Sequence, residues 1–135
     1  MEKAGSLVGR VLMGLIFVLS GLFKLIGPGR MAIFMSLTPG LSRVPYELVL
    51  AMAVSAGVIE FFGGLLLMIG FHARVVAVIL FLFLIPVTIL FHIIPGGQVN
   101  QVNTMKNLAI MGGLLMIATL GAGGLSLDAR ARSLI

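Results

Sequence analysis

Cysteine and tryptophan are absent from the 135 residues, tyrosine occurs once, and Asp and Glu together number four. Without cysteine there is no disulfide framework, no thiolate zinc site, no cysteine nucleophile and no dithiol relay within the chain. Charged residues make up only 10% of the sequence, against roughly 25% in ordinary soluble domains. With 60% hydrophobic residues and a mean hydropathy of +1.23, that scarcity excludes a water-soluble globule and a disordered chain alike. An integral membrane protein remains. The net charge of +5 then reads as topology and lipid-headgroup contact rather than nucleic-acid binding.

What is present is a series of long apolar runs: Leu7–Ile26, Leu48–Ile69, Val75–Ile94 and a fourth over about 105–122, led in by Met105–Asn107. A helix needs about 20 apolar residues to cross a bilayer core, and lipid admits only helices or closed barrels. No period-two alternation supports a barrel, so the pattern predicts an all-α membrane protein, a four-transmembrane-helix antiparallel bundle in one domain. The breaks agree: Gly27-Pro28-Gly29, Gly70 to Arg74, Pro95-Gly96-Gly97 and Gly121 to Gly124 punctuate the runs. Pro86 lies inside the third run and is expected to kink it. Between the first two helices, Arg30 to Met35 is expected to form a short amphipathic segment. The third connection, with Gln98, Asn100, Gln101 and Asn103, is polar but uncharged.

Basic residues set the expected orientation. Lys3, Arg10, Arg74, Arg130 and Arg132 fall on one side, Lys24, Arg30, Arg43 and Lys106 on the other, which favours both termini in the cytoplasm. No small-x-small cleavage site follows the first run, so it reads as a helix rather than a leader. Gly63 to Ile69 and Gly112 to Ile117 echo one another, as Gly-Gly-Leu strings commonly do in membrane helices.

Polar residues inside apolar runs carry the functional signal. Glu60 lies near the middle of its run, where an ionised carboxylate must be paired, protonated or wetted. Ala53, Ala56, Gly57, Gly63 and Gly64 share its face, and such small-residue stripes mark close helix contact, so Glu60 is expected to point inward. The first helix presents a matching stripe of Arg10, Gly14, Phe17, Gly21 and Lys24. Thr88 and His92 stand four apart near the end of the third helix, and Lys106 and Asn107 open the fourth. Lys24, His92 and Lys106 are expected at the outer helix ends, with Glu60 deeper by about 10 Å. Taken singly, interhelical glue accounts for Glu60, snorkelling for the lysines and a helix end for His92. His72 and Arg74 read as headgroup contacts, and Arg43, Tyr46 and Glu47 as interfacial. No residues at metal-ligand spacing, no phosphate loop and no haem-attachment motif occur, so no metal, nucleotide or haem is expected. The scattered methionines read as apolar filler.

These stretches resemble the DoxX family of small four-helix membrane proteins over essentially the whole chain. The resemblance is carried by Gly9 to Phe17 with Ser20 to Leu25, Ile59 to Gly64, Gly70 to Arg74, Phe91-His92, Lys106 to Leu115 and Ser126-Leu127-Asp128. Family members often carry a Gly-Pro-Gly-Arg-Tyr-type run before the last of these; here Gly121-Ala122-Gly123-Gly124-Leu125 replaces it. The family is named for a subunit of a thiosulfate:quinone oxidoreductase, and other members are linked to membrane oxidoreductase complexes that handle oxidative stress. Distant relatives act as assembly factors or cargo receptors. The resemblance implies the fold directly and the reaction only loosely.

The expected function is that of a bacterial or archaeal inner-membrane subunit binding a quinone or similar lipophilic molecule in the outer half of the bundle. Glu60 would deliver protons, and Lys24, His92, Lys106, Asn107 and Thr88 would surround the ligand. Its electrons would come from a soluble or membrane oxidoreductase partner. Two rivals stand beside it: a non-catalytic scaffold or assembly factor that recruits a soluble enzyme, and a small-solute or proton pathway, which would call for a homo-oligomer.

Overall fold

A computed structural model describes residues 2–133, and among them no strand occurs. The elements are α1 (Glu2–Ile26), α2 (Pro28–Ser36), α3 (Tyr46–Ile69), α4 (Ala73–Thr88) continued by a π-helical segment (Ile89–Ile93), α5 (Gln98–Leu120) and α6 (Leu127–Arg132). Three stretches have the length and apolarity to cross a membrane: Lys3–Ile26, Tyr46–Ile69 and Ala73–Ile93. Their outward faces carry exposed Leu12, Phe23, Phe62, Val75 and Leu82, the pattern of surfaces solvated by lipid. The fourth long helix, α5, has 23 residues but is less apolar because its first turns hold Gln98, Asn100, Gln101 and Asn103.

That polar stretch, expected as a connection, is instead the start of α5. Gln and Asn do not stop a helix as Gly-Pro does. Gly97, at φ 90°, turns the chain, Gln101 N–H donates to the Gly97 carbonyl at 2.9 Å, and the Asn100 amide donates to the Gly96 carbonyl at 2.6 Å. The amphipathic segment between the first two long helices is α2, begun by Pro28 where a missing N–H is harmless, with Ala32 and Met35 buried. Helix α4 runs through Pro86 without ending there. One turn later the ladder widens to the π register, in which Ile94 N–H donates to the Ile89 carbonyl at 3.0 Å.

Helices α1 and α3 meet along the two small-residue stripes. The buried face of α3 is Val49, Ala53, Gly57, Glu60, Gly64 and Leu67; that of α1 is Arg10, Gly14, Phe17 and Gly21. Contacts pair in opposite order, Gly14 with Gly64 and Gly21 with Gly57, so the two helices run antiparallel. A methyl group added at Gly14 would lie 2.6 Å from the Gly64 carbonyl oxygen, and one at Gly21 would lie 2.7 Å from the Gly57 carbonyl oxygen. Only glycine allows backbones this close.

Two apolar clusters result. Phe17, Leu67, Ala77, Leu80, Leu84, Ile110 and Leu114 join α1, α3, α4 and α5. Ala32, Met35, Leu41, Val49 and Ala53 join α2 to the first half of α3. Glu60 lies on α3 between them.

At the end of the molecule where α1 begins and α5 finishes, the segment after α5 folds back as a latch. Ser126 caps α6 by accepting from Ala129 N–H at 3.1 Å. Asp128 accepts from His72 N–H at 2.7 Å and Ala73 N–H at 2.9 Å, capping α4 from a distant part of the chain. Its own N–H donates to the Gly70 carbonyl at 3.0 Å. Arg10, 2% exposed, donates through Nη2 to the Leu125 carbonyl at 2.6 Å. Its guanidinium lies against Gly70, whose φ of +70° and lack of a Cβ both serve the turn.

Candidate functional site

At the opposite, distal end, the gap between the two apolar clusters is a cavity of about 270 Å³. Every long helix contributes to it: Phe17, Ser20 and Lys24 from α1, Glu60 from α3, Phe83 from α4, Phe91 and His92 from the π segment, and Lys106 and Asn107 from α5. Met31, Phe34 and Met35 of α2 complete the wall. Of the five site residues expected to face one ligand besides Glu60, four reach the cavity with it: Lys24, His92, Lys106 and Asn107.

Lys24 and Glu60 form an ion pair, with Nζ donating to Oε2 at 2.6 Å. The Lys24 ammonium also donates to Ser20 Oγ at 2.7 Å. Glu60 is 4% exposed. The expected 10 Å offset between them is absent, and the reason lies in helix register. Gly27-Pro28 ends α1 halfway along α3, so that a methyl group on Gly57 would lie 3.1 Å from Lys24 Cβ. Lys24 therefore ends its own helix yet sits beside the middle of the neighbouring one, and α2 covers the remainder of α3. A buried charge at such a depth needs a partner, and each group supplies the other's.

On the facing wall, Asn107 is buried and donates through Nδ2 to Thr88 Oγ1 at 3.0 Å; Thr88 in turn donates to the Leu84 carbonyl at 2.7 Å. Thr88 does not line the cavity. Its hydroxyl oxygen instead holds the Asn107 amide. Lys106 is exposed and donates to Asn103 Oδ1 at 3.2 Å. His92 is half-buried, and its Nδ1 is fully enclosed with no hydrogen-bond partner among the described residues. The π segment that presents it is a feature met often at functional positions.

Ser20 was not singled out from the sequence, although it stands four residues before Lys24 on the same helix face, which is a usable signal. The Asp128 cap was equally hidden, because its partners are backbone N–H groups more than fifty residues away. His72 and Arg74, read as headgroup contacts, are exposed beside that cap; Arg43, Tyr46 and Glu47 are exposed at the start of α3. No group of His, Asp and Glu among the described residues is arranged to hold a metal ion.

The fold defines a small all-helical membrane protein with a largely apolar cavity between its helices, onto which a few polar side chains face. The chain belongs to the DoxX family, whose model matches residues 5–93. That match runs from α1 through the π segment, so it includes Lys24, Glu60, Thr88 and His92 and stops before Lys106 and Asn107. The chain is similar to inner membrane protein YqjF of Escherichia coli (strain K12), with 34% identity over 128 residues, 95% of this chain and 92% of the relative. It is also similar to inner membrane protein YphA of the same organism, with 28% identity over 129 residues, 92% of this chain and 88% of the relative. No solved structure matches it.

Proposed function

We propose that this protein is an inner-membrane subunit of a redox system that binds a quinone-like molecule in the distal cavity and works with a partner oxidoreductase. The enclosed Lys24–Glu60 pair opening onto an apolar cavity carries this reading. A cavity alone does not mark a site, since Arg10 also borders one of about 270 Å³, but with no aromatic or acidic side chain in its lining, unlike the pair. The pair is left against a void lined by four phenylalanines, Phe17, Phe34, Phe83 and Phe91, whose rings suit a flat aromatic body.

The donor set fits such a ligand. The unpartnered His92 Nδ1 is a buried polar atom that a carbonyl-bearing ring would satisfy, and the Asn107 amide is held in place by Thr88 for the same purpose. Bound there, a quinone supplies the electron-accepting chemistry; the chain has no cysteine or haem-attachment motif, so its electrons come from the partner. The Lys24–Glu60 pair supplies the proton-exchanging groups beside the ligand, and the surrounding side chains exclude water.

The same reading fixes the architecture. At about 1.5 Å per residue, α5 spans roughly 34 Å, enough to cross a bilayer core. It follows α4 after a short turn and packs back along it, so four helices cross as an antiparallel bundle. The basic residues then place both termini in the cytoplasm. The relatives' location supports the bacterial inner membrane. Purified protein is expected to bind 1,4-naphthoquinone, seen as fluorescence quenching or a difference spectrum. Glu60→Gln, which keeps an oxygen for Lys24, should leave the protein folded and abolish quinone reduction in membrane vesicles. Full reduction by that variant, or no naphthoquinone binding by the native chain, overturns the proposal.

A further inference from the structure

The cavity wall is unbalanced in charge. Of the acidic side chains, only Glu60 is among its lining residues, and Lys24 neutralises it at 2.6 Å. The Lys106 ammonium on the facing wall meets no carboxylate, only the neutral Asn103 amide oxygen at 3.2 Å. Beside it stands the His92 imidazole with Nδ1 enclosed and unpartnered. Lys106 is exposed at the rim of the cavity, and a positive charge there with no carboxylate partner among the described residues favours an anionic group at that opening. A neutral ring carbonyl would satisfy His92 but leave the Lys106 charge without a counterpart.

We infer that the head group this cavity selects is an oxyanion carried on a flat apolar ring, as in a hydroxylated quinone ionised at neutral pH. The Lys106 ammonium meets the negative oxygen and His92 Nδ1 donates to the same head group, while Phe83 and Phe91 hold the ring. This inference rests on the quinone-like ligand proposed above and narrows its chemical class.

The experiment compares 1,4-naphthoquinone with 2-hydroxy-1,4-naphthoquinone, reading the Kd of each for the purified protein at neutral pH by fluorescence quenching. The hydroxylated ring is expected to bind about tenfold more tightly. Lys106→Met should reduce that preference to near parity, with circular dichroism reporting that the fold is intact. His92→Phe, which keeps a ring in place, should weaken both ligands. Equal or weaker binding of the hydroxylated ring, with the neutral ring bound, overturns the inference and leaves the quinone reading standing. An undiminished preference in Lys106→Met also overturns it. Failure of both rings to bind overturns the quinone reading and the inference with it.

Discussion

Helix α1 turns a basic side chain inward toward each end, Arg10 fully buried and Lys24 partly so, and the two are treated differently. Arg10 serves the latch: its guanidinium lies against Gly70, donates to the Leu125 carbonyl and sits beside a carboxylate, Asp128, whose oxygens serve the backbone of α4, and it borders a cavity with no aromatic ring in its lining. Lys24 is paired with Glu60 yet left against a cavity of about 270 Å³. Both side chains turn into the bundle, so an inward direction alone does not separate a lock from a site. Arg10 also borders a cavity and has two buried nitrogens, Nε and Nη1, without partners among the described residues; the separating features are the phenylalanine wall beside Lys24 and Glu60 and the facing polar wall of His92, Lys106 and Asn107.

Substitutions can break that contrast. The largest effect is expected at the shared contact of α1 with α3, on which both ends depend. Gly21→Leu forces a side chain into the backbone of α3 and should cost more than about 3 kcal/mol, so that size-exclusion chromatography in detergent finds no monodisperse folded species. Next is Glu60→Leu, which strands the Lys24 ammonium and should destabilise by about 3 kcal/mol in thermal unfolding. At the latch, Asp128→Ala removes the acceptor of two backbone N–H groups. It should cost about 2 kcal/mol while the naphthoquinone Kd stays within twofold of native. Smallest is Thr88→Val, which frees the Asn107 amide at a cost near 1 kcal/mol; ligand affinity should fall more than stability implies. Equal losses of affinity in the Asp128 and Thr88 variants would erase the distinction between the ends.

Much of this contrast was legible in the sequence. The apolar runs located the helices, and three- and four-residue spacing aligned Gly14, Gly21, Gly57 and Gly64 with the inward turn of Glu60, because helix periodicity is local. Lys24, His92, Lys106 and Asn107 converge on one cavity with Glu60 for the same reason. The vertical register of α1 against α3 was not legible. It depends on where α1 begins and on α2 filling the space above Lys24, neither of which a run of apolar residues encodes. Thr88 bonds Asn107 and does not line the cavity, a distinction of side-chain geometry that spacing cannot express. The latch was hidden for a third reason: Asp128 caps a helix from which it is distant in sequence.

The most direct test of the Lys24–Glu60 pair as part of a ligand site is a cycle of Lys24→Met, Glu60→Leu and the double variant, each measured for thermal stability and naphthoquinone Kd. Replacing both members of a buried pair with apolar groups of similar size should restore stability to within about 1 kcal/mol of native. Binding should not recover: the double variant is predicted to be as stable as native protein and to have lost the ligand. A double variant that binds naphthoquinone with native affinity would show that the pair only joins two helices, and would contradict the account.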